Sequence, residues 1–180
     1  MRWLLAVTLT AAPAFAETAQ PSSTSATYGN WTVSCMQTAD QKVCQMTTKL
    51  NLKGEDGQLR PLLEVAIGQP PTGGDVRIVL QVPMDVALRE PVAVSLDTPG
   101  ADAAATPKPQ TQLLTASYFA CVPSGCIADA VLDRKTLKAL QGAASMNATF
   151  SALAGGKKIS VPVDLTGFGD AWAALGIPQP

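Results

Sequence analysis

Gln45-Met46-Thr47-Thr48-Lys49-Leu50-Asn51-Leu52, followed by Gly54-Glu55-Asp56-Gly57, carries the pattern that decides the fold of this chain. Met46, Thr48, Leu50 and Leu52 fall on one side, and Gln45, Thr47, Lys49 and Asn51 on the other. Side chains of an extended backbone switch faces at every residue, so this alternation reads as a half-buried strand and the Gly-Glu-Asp-Gly stretch as a hairpin turn. The same period recurs outward in both directions. Val76, Ile78, Leu80 and Val82 alternate with Arg77, Val79 and Gln81, and Val92, Val94 and Leu96 with Ala93, Ser95 and Asp97. Ile159, Val161, Val163 and Leu165 face one way against Lys158, Ser160 and Asp164. Further strands are expected upstream through Trp31, Val33 and Cys35, and at 62–67, 113–121, 127–132 and 146–153. Gly- and Pro-rich turns separate them. A helix is expected from the N-cap Asp133 through Leu137 and Leu140 to Gly142. Phe168, Trp172 and Leu175 stand at helical spacing near the end. About nine short strands with one or two short helices imply a mainly β fold, a β-sandwich or flattened barrel. Trp31, Phe119, Phe168 and Trp172 are read as core.

The first sixteen residues have the make-up of a secretory signal peptide. Arg2 supplies the positive start, Trp3 to Ala12 the apolar stretch, and Ala14-Phe15-Ala16 the small-x-small cleavage pattern. That stretch is shorter than the roughly 20 residues that span a bilayer, and no membrane span is expected once it is cleaved. The organisation expected is a signal peptide at 1–16, a disordered Ser/Thr/Ala/Pro/Gln-rich lead at 17–27 and a single domain at 28–180. The expected location is the periplasm, the cell surface or the exterior. Cleavage leaves 12 basic residues against 14 acidic ones, without the basic stripe of a nucleic-acid binder.

Four cysteines, Cys35, Cys44, Cys121 and Cys126, allow three connectivities. Their spacing fits neither a zinc site nor a C-x-x-C redox motif, and a structural pair of disulfides is the reading that suits an oxidising compartment. Geometry favours local pairing. Cys35 and Cys44 fall on the inner side of one expected hairpin, and Pro123-Ser124-Gly125 is a tight turn between Cys121 and Cys126.

Histidine is absent, which removes Ser-His-Asp and Cys-His catalysis and the commonest zinc ligand. Ser34, Ser124 and Ser160 therefore have no imidazole to activate them. Glu64, Asp129 and Asp164 are isolated carboxylates on expected strands, and no phosphate-binding glycine loop exists. No catalytic residue, metal site or cofactor is expected. The loops at 70–74 and 98–112 are the candidate contact segments of a binding module, with an unknown envelope or host protein as partner. Two other readings stay open: a carboxylate-based envelope enzyme using Glu64 and Asp129, and a thiol redox protein using Cys121 and Cys126.

Tyr28-Gly29-Asn30-Trp31-Thr32-Val33-Ser34-Cys35 resembles the YGDW-x-V-x-C opening of the invasion-associated locus B family. Val43-Cys44-Gln45-Met46, Leu62-Leu63-Glu64-Val65-Ala66-Ile67-Gly68 and Leu80-Gln81-Val82-Pro83 are similar to its next elements. Cys121 to Asp129 resembles its second cysteine block, and Gly167-Phe168 its close. Asn30 stands where Asp is usual, and 101–109 carries an Ala/Pro-rich insertion. The resemblance implies an exported β-sandwich-like envelope domain, with a link to host-cell entry in the family's name and no established catalytic residues.

Overall fold

The alternating stretches become antiparallel strands, each hydrogen-bonded to its neighbours. The computed structural model describes residues 23–37, 41–97 and 110–177. The expected signal peptide, the first part of the lead and residues 98–109 of the long loop lie outside the described residues. In chain order the elements are β1 (Ser23–Tyr28), β2 (Trp31–Gln37), β3 (Lys42–Lys53), β4 (Leu59–Gly68), β5 (Arg77–Val82), β6 (Val92–Asp97), β7 (Gln110–Val122) and β8 (Gly125–Val131). Then come α1 (Arg134–Gln141), β9 (Ser145–Ser151), β10 (Lys158–Asp164) and α2 (Phe168–Leu175).

The fold is mainly β: ten antiparallel strands in one sheet, ordered β1-β2-β3-β4-β5-β8-β7-β6-β9-β10, with two short helices. β7 is the corner. Its first half pairs with β6 and its second half with β8, so one long strand joins what would otherwise be two sheets. Met46, Val65, Ile67, Ile78 and Leu80 on one arm of the sheet share a single core with Val92, Val94, Met146, Phe150 and Val163 on the other. A sheet whose two arms bury their inner faces in one core has to curl over it, which gives the flattened-barrel form. α2 packs against β1, β2 and β3 and touches α1, with Ala171, Trp172 and Leu175 buried. α1 starts where its composition says: the Asp133 carboxylate accepts from the Thr136 amide at 2.7 Å, which satisfies one of the first-turn donors and holds this carboxyl below its ordinary range.

Five expectations need correction. The lead at 17–27 is not disordered throughout, because Ser23–Tyr28 forms β1 against β2. Its residues are nearly all exposed, so the strand carries no apolar alternation to betray it. Leu52 does not face the core. A register shift at Leu50/Asn51 turns the end of β3, and Leu52 is 55% exposed. Phe119 is not core either: it is skipped in the β7–β8 register between Tyr118 and Ala120 and is 63% exposed. The shift between Val94 and Ser95 buries Ser95 in place of Leu96, and the Ser95 hydroxyl bonds Gln110 Oε1 at 2.8 Å. Residues 110–112, expected in the loop, open β7.

Candidate functional site

Both disulfides join directly opposed residues of neighbouring strands. Cys35–Cys44 ties β2 to β3 and Cys121–Cys126 ties β7 to β8, with Cα atoms 4.0 Å apart in each. Val122-Pro123-Ser124-Gly125 forms the turn of the second hairpin. The Gln81 amide bonds the Ser124 carbonyl at 3.0 Å. Glu64 and Asp129 do not come together. β5 lies between their strands, Glu64 pairs with Lys49 at 3.1 Å, and Asp129 pairs with Arg77, whose guanidinium is held above its ordinary value by that bond. The 70–74 loop is a pinned turn. Gly73 N donates to Pro70 O at 2.9 Å, and the Gln69 and Gln41 amides hold Gly74 O and Pro71 O at 2.7 and 2.6 Å. Among the described residues no group of three or more His, Cys, Asp or Glu side chains could hold a metal ion.

The two ends of the described chain meet. At the β1–β2 turn Gly29 has φ +56°, and a Cβ there would sit 2.4 Å from the Thr166 carbonyl oxygen. At the entry to α2 Gly167 has φ +84°, and a Cβ there would sit 2.1 Å from the Tyr28 carbonyl oxygen. Only glycine allows two backbones so close in left-handed conformations. Asn30 N donates to Thr166 O at 3.0 Å across the contact. Beneath it the Trp31 and Phe168 rings pack edge to face with centroids 5.1 Å apart, both fully buried. The sheet edges β1 and β10 thus approach without pairing, and this contact fastens them.

The contact also builds one wall of a groove. Asp164, at the end of β10, accepts from Thr166 N at 2.7 Å. Hydrogen bonds from the Thr166 side chain and backbone, and from the Asn30 side chain, hold its carboxyl below the ordinary range. From Asn30 and Asp164 the groove runs over the outer face of β2, β3 and β4, past Thr32, Ser34, Gln45 and Thr47, to the Lys49–Glu64 ion pair, and encloses about 720 Å³. That volume falls within the roughly 300–1,000 Å³ of small-molecule sites. The register explains the alignment, since Thr32 lies opposite Thr47, Ser34 opposite Gln45 and Lys49 opposite Glu64. The lining mixes hydroxyl, amide and charged side chains, with Leu50 as its apolar member. Sequence reasoning singled out Ser34, Glu64 and Asp164 one at a time, noted Asn30 only as a departure from the family's opening, and passed over Thr32, Gln45, Thr47 and Lys49 as groove residues. The available signal was the uncharged polar run on the outer side of β3, facing hydroxyls on β2.

No helix among the described residues is long and apolar enough to cross a membrane. The family model described as invasion associated locus B (IalB) protein matches residues 31–176. Invasion protein B homologs of Brucella abortus, from strain 2308 and from biovar 1 strain 9-941, are each 28% identical over 145 residues, covering 81% of this chain and 75% of the relative. A crystal structure of invasion associated protein B from Bartonella henselae superposes with a TM-score of 0.65 at 23% identity, over 84% of this chain and 94% of that one. At that identity the superposition speaks for the fold.

Proposed function

This chain belongs to the invasion associated locus B family, and from that premise we propose that it is an exported binding module of the bacterial envelope. Its ligand is held on the outer face of β2, β3 and β4. The observation that carries the reading is the open polar groove itself, because there convergent polar side chains from three strands and the chain-closing contact surround a volume of ligand size. Those side chains stand on a disulfide-tied hairpin, and a rigid base of this kind suits recognition. Two cross-strand disulfides and no free cysteine among the described residues support an oxidising compartment such as the periplasm. The relatives are named for invasion, and contact with a host cell is one setting for such a module; a purely envelope role is another. The groove's two carboxylates are each engaged by the protein itself, Asp164 by Thr166 and Asn30 and Glu64 by Lys49.

The test is crosslinking capture from cells that carry the tagged chain, comparing wild type with Thr47→Lys, which fills the groove from its floor. A partner captured by the wild type and lost in the variant, with both equally folded, is the expected result. Undiminished capture by Thr47→Lys would move the binding surface elsewhere, with the 70–74 and 98–112 loops next in line.

A further inference from the structure

We propose that the groove across β2, β3 and β4 takes a neutral polyhydroxylated ligand, a short stretch of saccharide chain. The proposal rests on the reading of the groove as the binding surface and adds the chemistry of what it binds.

The groove's polar groups decide the class. Thr32, Ser34 and Thr47 offer hydroxyls, and Asn30 and Gln45 offer amides. Each of these side chains both donates and accepts, which is what a sugar hydroxyl requires of its partner. Some of this capacity is already used within the sheet: Thr27 and Thr32 hydroxyls lie 3.4 Å apart, Ser25 and Ser34 hydroxyls 3.5 Å apart, and the Thr47 hydroxyl reaches Thr32 O at 3.5 Å. These contacts are at the long limit of hydrogen bonding, and each is readily exchanged for a shorter bond to a ligand. Asp164 accepts from Thr166 and Asn30 and, with about four acceptor positions on a carboxylate, keeps room for a ligand hydroxyl.

Charge narrows the class further. Two carboxylates, Glu64 and Asp164, face one ammonium, Lys49, so the lining carries one net negative charge. That disfavours phosphorylated, sulfated and other acidic ligands by like-charge repulsion. The lining has no ring on which an apolar ligand or a sugar face would stack. Recognition therefore runs through hydrogen bonds, and the complex is weak and specific in geometry. Asn30, Gln45, Lys49 and Asp164 are exposed along its length. An open trough of this form accepts a chain lying across it better than a single enclosed ring.

The shared chemistry of neutral sugar units could come from the bacterium's own envelope glycans or from animal cell-surface glycans, and the experiment separates them. The full mature chain is applied to an array carrying neutral, amino and sulfated oligosaccharides of both origins, and neutral hits are titrated calorimetrically. Expected is binding to neutral members, weakened about tenfold (about 1.4 kcal/mol) by Gln45→Ala and abolished by Thr47→Lys. Ser117→Lys, on β7 four strands from Thr47, should leave it unchanged. Gln45 is exposed, so its alanine variant tests the site even if lysine at 47 perturbs folding. No neutral saccharide bound by the wild type, or sulfated members preferred, overturns the ligand class. If capture of a protein partner is still lost in Thr47→Lys, the groove survives that failure. Saccharide binding undiminished by both groove variants overturns the site.

Discussion

Replacing Gly167 by alanine tests what closes this sheet. Gly167 has φ +84°, and an added Cβ would lie 2.1 Å from the Tyr28 carbonyl oxygen and 2.8 Å from Gly29 N. The left-handed backbone alone costs a residue with a Cβ roughly 1–2 kcal/mol. The collision is with backbone, which has no rotamer to yield. Reaching an ordinary contact of about 3.5 Å requires the β1–β2 turn and the entry to α2 to part by more than an ångström. That movement breaks the Asn30–Thr166 hydrogen bond, worth about 0.5–1.5 kcal/mol, and opens the Trp31–Phe168 contact. A gap of 0.5–1 Å forfeits about a quarter to a half of a dispersion well, and complete loss of a buried aromatic costs about 3–5 kcal/mol. The sum is about 3–5 kcal/mol, a large share of the roughly 5–15 kcal/mol typical of a folded domain. Gly73→Ala is the matched control: φ is +78° and nothing lies within 4 Å of the added Cβ, so only the strain of about 1–2 kcal/mol is expected. Urea unfolding followed by tryptophan fluorescence gives both values. Equal losses in the two variants would refute the closure argument.

Four further outcomes follow from the same structure. The bridges close loops of sequence separation 9 and 5, for which the chain-entropy relation gives about 2.6 and 2.1 kcal/mol, so Cys35→Ala/Cys44→Ala should lower the urea midpoint more than Cys121→Ala/Cys126→Ala. Cys121 is exposed while Cys35 and Cys44 are buried, and graded dithiothreitol with alkylation and mass spectrometry should find 121–126 opening first; the reverse order would contradict the burial pattern. The Tyr118 hydroxyl is buried without a hydrogen-bond partner, and burial pushes its pKa up to about 12, so phenolate absorbance should show a late step that Tyr118→Phe removes. Because the folded pKa exceeds the ordinary 10.0, stability is full below pH 10 and falls as pH rises towards 12; Tyr118→Phe should be neutral or stabilising by about 1 kcal/mol, and a marked loss in thermal melts would argue for a partner to the hydroxyl. Asp133 and Asp164 are both held below their ordinary 3.8, so their stabilisation is present above that pH and lost as pH falls through the lower folded values. Asp164→Asn should flatten that acid limb in pH-dependent urea melts, and an unchanged limb would remove Asp164 from the account.

Much of the fold was legible because inner positions repeat with period two. Met46, Ile78, Leu80, Val92, Val161 and Val163 are buried as the alternation requires, and Asp133 and Gly142 cap α1 where composition places them. The failures have two causes. β1 is an edge strand with both faces wet, so it had no apolar period to read. Leu52, Leu96 and Phe119 sit at or just beyond register shifts, and a shift reverses which face a residue takes without any mark in local composition. The groove was less legible still. Gln45 and Thr47 read simply as the solvent side of a strand; their alignment with Thr32 and Ser34 depends on a hairpin register, and their proximity to Asp164 on a contact spanning most of the chain.

That contact ties recognition to stability. Gly29-Asn30-Trp31 and Thr166-Gly167-Phe168 are far apart in sequence, yet each residue of one triplet has its counterpart in the other: glycine against backbone, amide against carbonyl, ring against ring. The segments that resemble the opening and closing motifs of the family are thereby two halves of one clasp, and the glycines in them have a physical reason that involves no ligand. The same clasp holds Asn30 and Asp164 at the groove's end. There the Asn30 amide serves as donor to the carboxylate, a role that an ionised Asp at this position could not fill. Strain at Gly29 or Gly167 should therefore reach the groove wall before it reaches the disulfide-tied hairpins. Variation at residue 30, by contrast, can retune the wall while leaving the glycine contact and the Trp31–Phe168 packing in place.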